Sequence, residues 1–191
     1  MSKALWTLCF AVLFALGFSA ARADEWNKQT TVTFSGPVEI PGKVLPAGTY
    51  QFKLLDSQSN RNIVQIFNAD GTQLYATILA IPDYRQNPTS ETVMKFEERP
   101  AGTPEALRAW FYPGDNYGNE FVYPRSEAAQ IARRTHQNVL SMGDEMKNNI
   151  TTPAKTANEP SVRALSNTKV TATTPNGNQV DMNQAVQSKK Q

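Results

Sequence analysis

Cysteine and histidine are nearly missing from this chain: Cys9 and His136 each occur once in 191 residues. Cys9 lies inside the apolar run Ala4–Phe18 of the opening "MSKALWTLCFAVLFALGFSAARADEW". Lys3 precedes that run and the small-residue site Ala21-Arg22-Ala23 follows it, which is the layout of a cleaved secretory signal. The run is too short for a membrane anchor, and no small-residue lipobox stands before Cys9. Residues 1–23 are therefore expected to be a signal peptide, with the mature chain exported, periplasmic or extracellular, and without a transmembrane segment. Such a mature chain holds no cysteine, which excludes disulfides, a thiol nucleophile and cysteine-ligated metal. It has to be held by an ordinary hydrophobic core.

A single histidine is equally restrictive. A zinc site would have to be built from carboxylates, and no recognisable ligand spacing is present. A Ser-His-Asp triad would have to take His136 from a polar segment, and there is no G-x-S-x-G elbow. His136, among Arg133, Arg134 and Gln137, reads as a surface cation near a helix C-terminus. Net charge is missing too. Without Lys3 and Arg22 the 19 basic residues become 17, against 17 acids. A neutral mature chain has no global basic field for nucleic acid.

The third absence divides the chain. No Trp, Tyr or Phe follows Tyr123. Large aromatics dominate core burial, so the core is expected in residues 24–124. Charge splits at the same place: residues 24–124 carry eight basic residues and twelve acids, net −4, while residues 125–191 carry nine and five, net +4.

Within residues 24–124 the hydrophobic period is two. "TVTFS", "GTYQFKLLD", "NIVQIF", "QLYATILA", "TVMKFEE", "ALRAWFY" and "EFVY" read as strands. Asp70-Gly71 supplies a tight turn. "PVEIPGKVLPAG" reads as an extended edge or corner, because prolines interrupt it, and "PDYRQNPTSE" reads as a loop. The fold class expected is all-β, a small antiparallel β-sandwich or barrel, followed by one short α-helix and a disordered polar tail. The helical extension covers residues 125–142. Ser126 is its N-cap candidate, and Ala128, Ile131 and Ala132 form a narrow apolar stripe. Residues 143–191 are poor in large apolar side chains and read as a flexible low-complexity tail. One marginal hairpin is expected at 168–182 around Asn176-Gly177, in need of a partner surface.

"FSGPVEIPGKVLPAGTYQFKL", "LYATILAIPDYR" and "WFYPGDNYGNEFVYP" together resemble an exported bacterial β-domain family of unassigned function. The resemblance spans roughly Trp26 to Ala132, and "LPAGTY" and "WFYPGxxxGxEFVYP" are its most specific motifs. It implies a small secreted β domain and carries over no catalytic residue. Some similar proteins end in a sorting-like motif and an apolar anchor; this chain ends "AVQSKKQ", with neither.

The densest aromatic and acidic stretch supplies the candidate ligand contacts: Trp110, Tyr112, Asp115, Asn116, Tyr117, Glu120 and Tyr123. Trp110, Tyr112, Phe121 and Tyr123 fall at strand spacing. They serve either a core or an exposed carbohydrate or peptide platform. Asp115, Asn116, Asn119 and Glu120 offer oxygen to calcium, but the loop departs from the calcium-loop pattern and matches ordinary turn chemistry. Glu97, Glu98, Asp115 and Glu120 are the carboxylates from which a glycosidase pair would be drawn, although Glu97 and Glu98 as strand neighbours point to opposite faces. The function expected is that of an exported non-enzymatic β-domain protein, binding or envelope-structural, with no cofactor. Its partner would be an envelope component, polysaccharide or protein. A carbohydrate-binding module is the alternative, and a small glycosidase-like hydrolase the weaker one. Intact-mass measurement of exported protein should find a mature start near Asp24; retention of Met1 would refute the signal reading.

Overall fold

The computed structural model describes residues 28–57, 61–97 and 102–182. The expected signal peptide at 1–23 lies outside these. The fold is mostly β, with 43% strand and 18% helix, a nine-stranded mixed sheet, a small second sheet and three short helices. The all-β expectation is corrected to that extent. The sheet is also not purely antiparallel, because β2 (Val38–Ile40) runs parallel to β8 (Glu105–Phe111).

The large sheet is organised around β6 (Leu74–Tyr84). Its first half pairs antiparallel with β5 (Ile63–Asn68), which continues through β4 (Gly48–Leu54) to β1 (Gln29–Phe34). Its second half, from Ala80 onward, pairs with β9 (Tyr117–Phe121), followed by β8. β7 (Val93–Glu97) also pairs with β8, and beyond β2 lies β3 (Lys43–Leu45). The sheet doubles over: Phe52 on β4 meets Trp110 on β8 at 6.2 Å between ring centroids, though three strands separate them in the sheet order. Phe34 on β1 meets Phe96 on β7 edge to face at 6.1 Å. Alternation dictates this interior: Tyr50, Phe52 and Leu54 are buried, while Gln51 and Lys53 between them are half-exposed.

The segment "PDYRQNPTSE" is not all loop. β6 runs on to Tyr84, with Pro82 opposite Asn119. Proline is tolerated there because this half of β6 has left β5 and keeps β9 as its neighbour.

The helical extension is shorter than expected. Helix α1 covers Arg125–Thr135 and buries Ala128, Ile131 and Ala132, the residues of the apolar stripe. It stops at His136, whose φ of 56° places it in the left-handed region, and the chain then enters β11 (Val139–Met142). Ser126 is not the N-cap. Pro124 holds that position, and Asp144 accepts hydrogen bonds from both the backbone N–H and the hydroxyl of Ser126, at 2.8 and 2.9 Å. A carboxylate from later in the chain thus sits at the positive end of the helix.

The disordered-tail expectation is corrected for residues 143–182. A 3-10 turn at Asp144–Met146 leads into α2 (Lys147–Thr151) and α3 (Pro160–Ser166). The hairpin forms from β12 (Thr171–Thr173) and β13 (Gln179–Val180), with Gly177 at φ +83° in its turn. Its partner surface is β11, which pairs antiparallel with β12 and parallel with β10 (Tyr123–Pro124). The segment has few large apolar residues, but Ile150, Ala154, Val162, Leu165 and Ala172 are all buried. Helices α2 and α3, which carry Ile150, Val162 and Leu165, pack against β6 of the large sheet and against each other. Each of the larger buried side chains contributes about 1.5–3 kcal/mol. Polar bonds fix the docking. The buried Gln65 donates to the carbonyl of Ala154 at 2.7 Å, and the Thr77 hydroxyl reaches the same oxygen at 3.5 Å. Among the described residues no helix is long and apolar enough to cross a membrane.

Leu165→Ala should therefore lower stability by about 2–5 kcal/mol in urea unfolding. A loss indistinguishable from zero would mean that α3 does not dock.

Candidate functional site

The two motifs that suggested a family are both built into the fold. In "LPAGTY" Leu45 is fully buried, and the Tyr50 hydroxyl donates to the carbonyl of Pro46 at 2.8 Å, closing the β3–β4 corner. Burial, helped by the neighbouring Tyr75, holds the Tyr50 hydroxyl above the usual tyrosine range. In "WFYPGDNYGNEFVYP" Trp110 is fully buried against Phe52, and its indole Nε1 has no hydrogen-bond partner among the described residues. Tyr123 is buried, with its hydroxyl 2.7 Å from the carbonyl of Leu107 and 3.1 Å from that of Glu39.

Phe111 is buried on the other face of the sheet. It sits opposite Gly118, where a β-carbon would come within 2.6 Å of the ring. The ammonium of Lys95 lies 4.4 Å and the guanidinium of Arg85 4.9 Å from the ring centroid. Cation–π attraction and the alkyl stems of both side chains cover the ring from solvent.

Arg85 ties the β8–β9 hairpin tip to the chain after β6. Its Nε donates to the carbonyl of Asp115 at 2.9 Å, and its backbone N–H donates to the carbonyl of Asn116 at 2.9 Å. The Asn116 amide donates in return to the carbonyls of Arg85 and Gln86, both at 3.1 Å. Asp115 forms an ion pair with Lys28, which also sits 5.9 Å from the Tyr112 ring. Asp115 and Asn116 are thus engaged in holding the hairpin rather than turned outward as oxygen ligands. No group of three or more metal-ligating side chains occurs among the described residues.

Among the described residues the candidate acids do not face one another across a cleft. Glu98 lies outside the described residues. Glu97 and Glu120 are both buried and converge on Arg108, whose Nε is 3.7 Å from Glu97 and 3.3 Å from Glu120. A cavity of about 570 Å³ lies between the β1–β2 turn and the segment leading into β8, with Glu105 as the acid among the described residues of its lining. Another, of about 380 Å³, lies against α3 and contains Arg163. Among the described residues, neither brings together the two acids a glycosidase needs.

Of the candidate contacts, Trp110, Glu120 and Tyr123 are buried, Tyr112, Asp115 and Asn116 are half-buried and engaged, and Tyr117 is open at 65% exposure. Beside Tyr117 stands Tyr84, 57% exposed, directly opposite on β6, with ring centroids 5.4 Å apart and planes at 57°. Tyr84 continues the face of Ala80 and Pro82, as Tyr117 continues that of Phe121 and Asn119. The core-facing row of this ribbon thus runs past the end of the core into solvent. Sequence reasoning missed Tyr84 because Pro82 turned the reading of its segment to loop; the period-two continuation Ala80, Pro82, Tyr84 was the available signal.

Comparison with protein-family models, with curated proteins and with solved structures finds no match to this chain.

Gly118→Ala should cost about 1–3 kcal/mol of stability through the forced shift of Phe111. Phe111→Leu in the same chain should recover part of that loss in thermal unfolding. An additive double variant would show that the ring and the glycine are not coupled.

Proposed function

We propose that this chain is an exported, non-enzymatic β-domain protein that acts by binding within the cell envelope or as part of its structure. The observation that supports this most directly is the commitment of its chemistry-bearing residues. Glu97 and Glu120 are held by Arg108, and Asp115 is paired with Lys28. Asn116 is spent on backbone carbonyls. The signal-like opening and the family resemblance support the exported setting. The folded-over sheet is, in this reading, a β-sandwich whose role is presentation of a surface.

The carbohydrate-binding reading has one observation in its favour, the exposed Tyr84–Tyr117 pair. A broad platform of the motif's aromatics does not support it, because Trp110, Phe121 and Tyr123 are core residues. A tilted pair offers two ring faces to a sugar rather than one continuous plane.

The test is co-sedimentation of purified protein with isolated envelope and, separately, with envelope polysaccharide freed of protein. Tyr84→Ala/Tyr117→Ala should weaken retention on envelope at least about tenfold, as loss of exposed aromatic anchors does, with an unchanged melting curve. Equal retention of wild type and variant would remove the tyrosines from the binding surface. Retention on polysaccharide alone would select the carbohydrate reading.

A further inference from the structure

β1 is an edge strand with an open side. Leu54 donates its N–H to the carbonyl of Lys28 at 2.9 Å, which fixes the phase of the β1–β4 ladder. Antiparallel alternation then aims the N–H and C=O groups of Lys28, Thr30, Val32 and Phe34 at β4, and those of Gln29, Thr31 and Thr33 away from it. The outward groups of these three residues have no hydrogen-bond partner among the described residues.

Natural sheet edges are normally guarded by charge, proline, a bulge or shortness. The other edges here follow that rule. β7 carries Lys95 and Glu97 and a register shift at Lys95/Phe96. β3 has three residues, including Lys43, and β13 has two. β1 has none of these devices. "QTTVTF" has six residues, no charge and no proline, and pairs with β4 in unbroken register. Its outer side chains are drawn back over β4, with Gln29 bonded to Gln51 at 3.0 Å and Thr33 to Thr49 at 2.9 Å. Among the described residues no strand pairs with the edge itself.

We propose that this edge pairs with β1 of a second copy of the chain, antiparallel about a twofold axis through Thr31. The register follows from the open groups. For the outer faces of both copies to continue into one another, outer residues must oppose outer residues. Centring on Thr31 sets Thr31 opposite its counterpart and Gln29 opposite Thr33 in both directions. Each is a pair of the hydrogen-bonded kind, so every outward N–H and C=O of the three residues gains a partner. Centring on Val32 would leave Gln29 of both copies unpaired. A symmetric contact of this kind places the residue on the axis opposite its own copy, so a charge there would repel itself. β1 is uncharged, and Lys28 at its end is already paired with Asp115. Thr–Thr neighbours are among the favourable cross-strand pairs.

Sedimentation velocity of the full chain over a concentration series tests this. Wild type should show a monomer–dimer equilibrium. Thr31→Pro removes an N–H that β4 does not use, and Thr31→Lys sets two like charges on the axis. Each should raise the dimer dissociation constant at least about tenfold, with circular dichroism confirming the fold. If Thr31→Pro does not fold, Thr31→Lys decides alone. Val44→Lys on the β3 edge should leave the dimer intact. A wild-type chain that stays monomeric at every concentration overturns the proposal, including the case in which the edge takes an extended peptide from another protein. A dimer unaffected by Thr31→Lys overturns it as well.

Discussion

Everything in this fold depends on one strand serving two neighbours in succession. β6 pairs with β5 as far as Leu79 and with β9 from Ala80 onward. Backbone hydrogen bonding forces the sheet to follow the strand that carries it, so the change of partner doubles the sheet over. Only then do Phe52 and Trp110, distant in strand order, come into ring contact. The run Ala76 to Ala80 is buried at every position. This is what a strand needs when one of its faces meets the doubled sheet and the other is covered by a later segment.

That cover is supplied by the segment after α1. The outer face of β5 and β6 presents Gln65 and Thr77, polar side chains that are buried in the finished fold. Burial of an unpaired amide or hydroxyl is costly. The carbonyl of Ala154 removes that cost by accepting from both. Ile150, Val162 and Leu165 add apolar contact around the same point. Further ties bind the region together. Glu127 of α1 accepts from the N–H of Gly42 and from Lys147. Glu159, just ahead of α3, accepts from the N–H groups of Thr156 and Lys155, which hold its carboxyl below the usual range. A second sheet closes the end, where Ser141, Thr171, Thr173 and Gln179 form a side-chain hydrogen-bond network across β11, β12 and β13.

The same economy of partners accounts for the hairpin tip. Residues of functional type gather there, yet each has a neighbour that uses it. Arg85 and Asn116 exchange bonds with backbone, Asp115 holds Lys28, and Phe111 lies over Gly118 beneath two cations. The tyrosines at the end of the β6–β9 ribbon escape because the ribbon is longer than the core it covers. The open side of β1 has a similar origin, since among the described residues the doubled sheet ends there without a further strand.

Turn chemistry was enough to locate Asp70-Gly71, and the i, i+3, i+4 spacing of Ala128, Ile131 and Ala132 the buried stripe of α1. Period-two alternation located most strands of residues 24–124, because burial of one face imposes that spacing locally. It missed β11, which fell inside the expected helical extension. Together with turn chemistry it marked the 168–182 hairpin through Asn176-Gly177. Alternation could not say that Trp110 and Phe111 would both be buried, since successive strand residues face opposite sides and the covers come from elsewhere: Phe52 for one, Arg85 and Lys95 for the other. Composition made residues 143–182 look unable to fold, because a segment's own apolar content measures only half of an interface. Local sequence determined which residues alternate and turn; the tertiary structure alone decided which faces were covered, because a covering surface is supplied by residues far away in the chain.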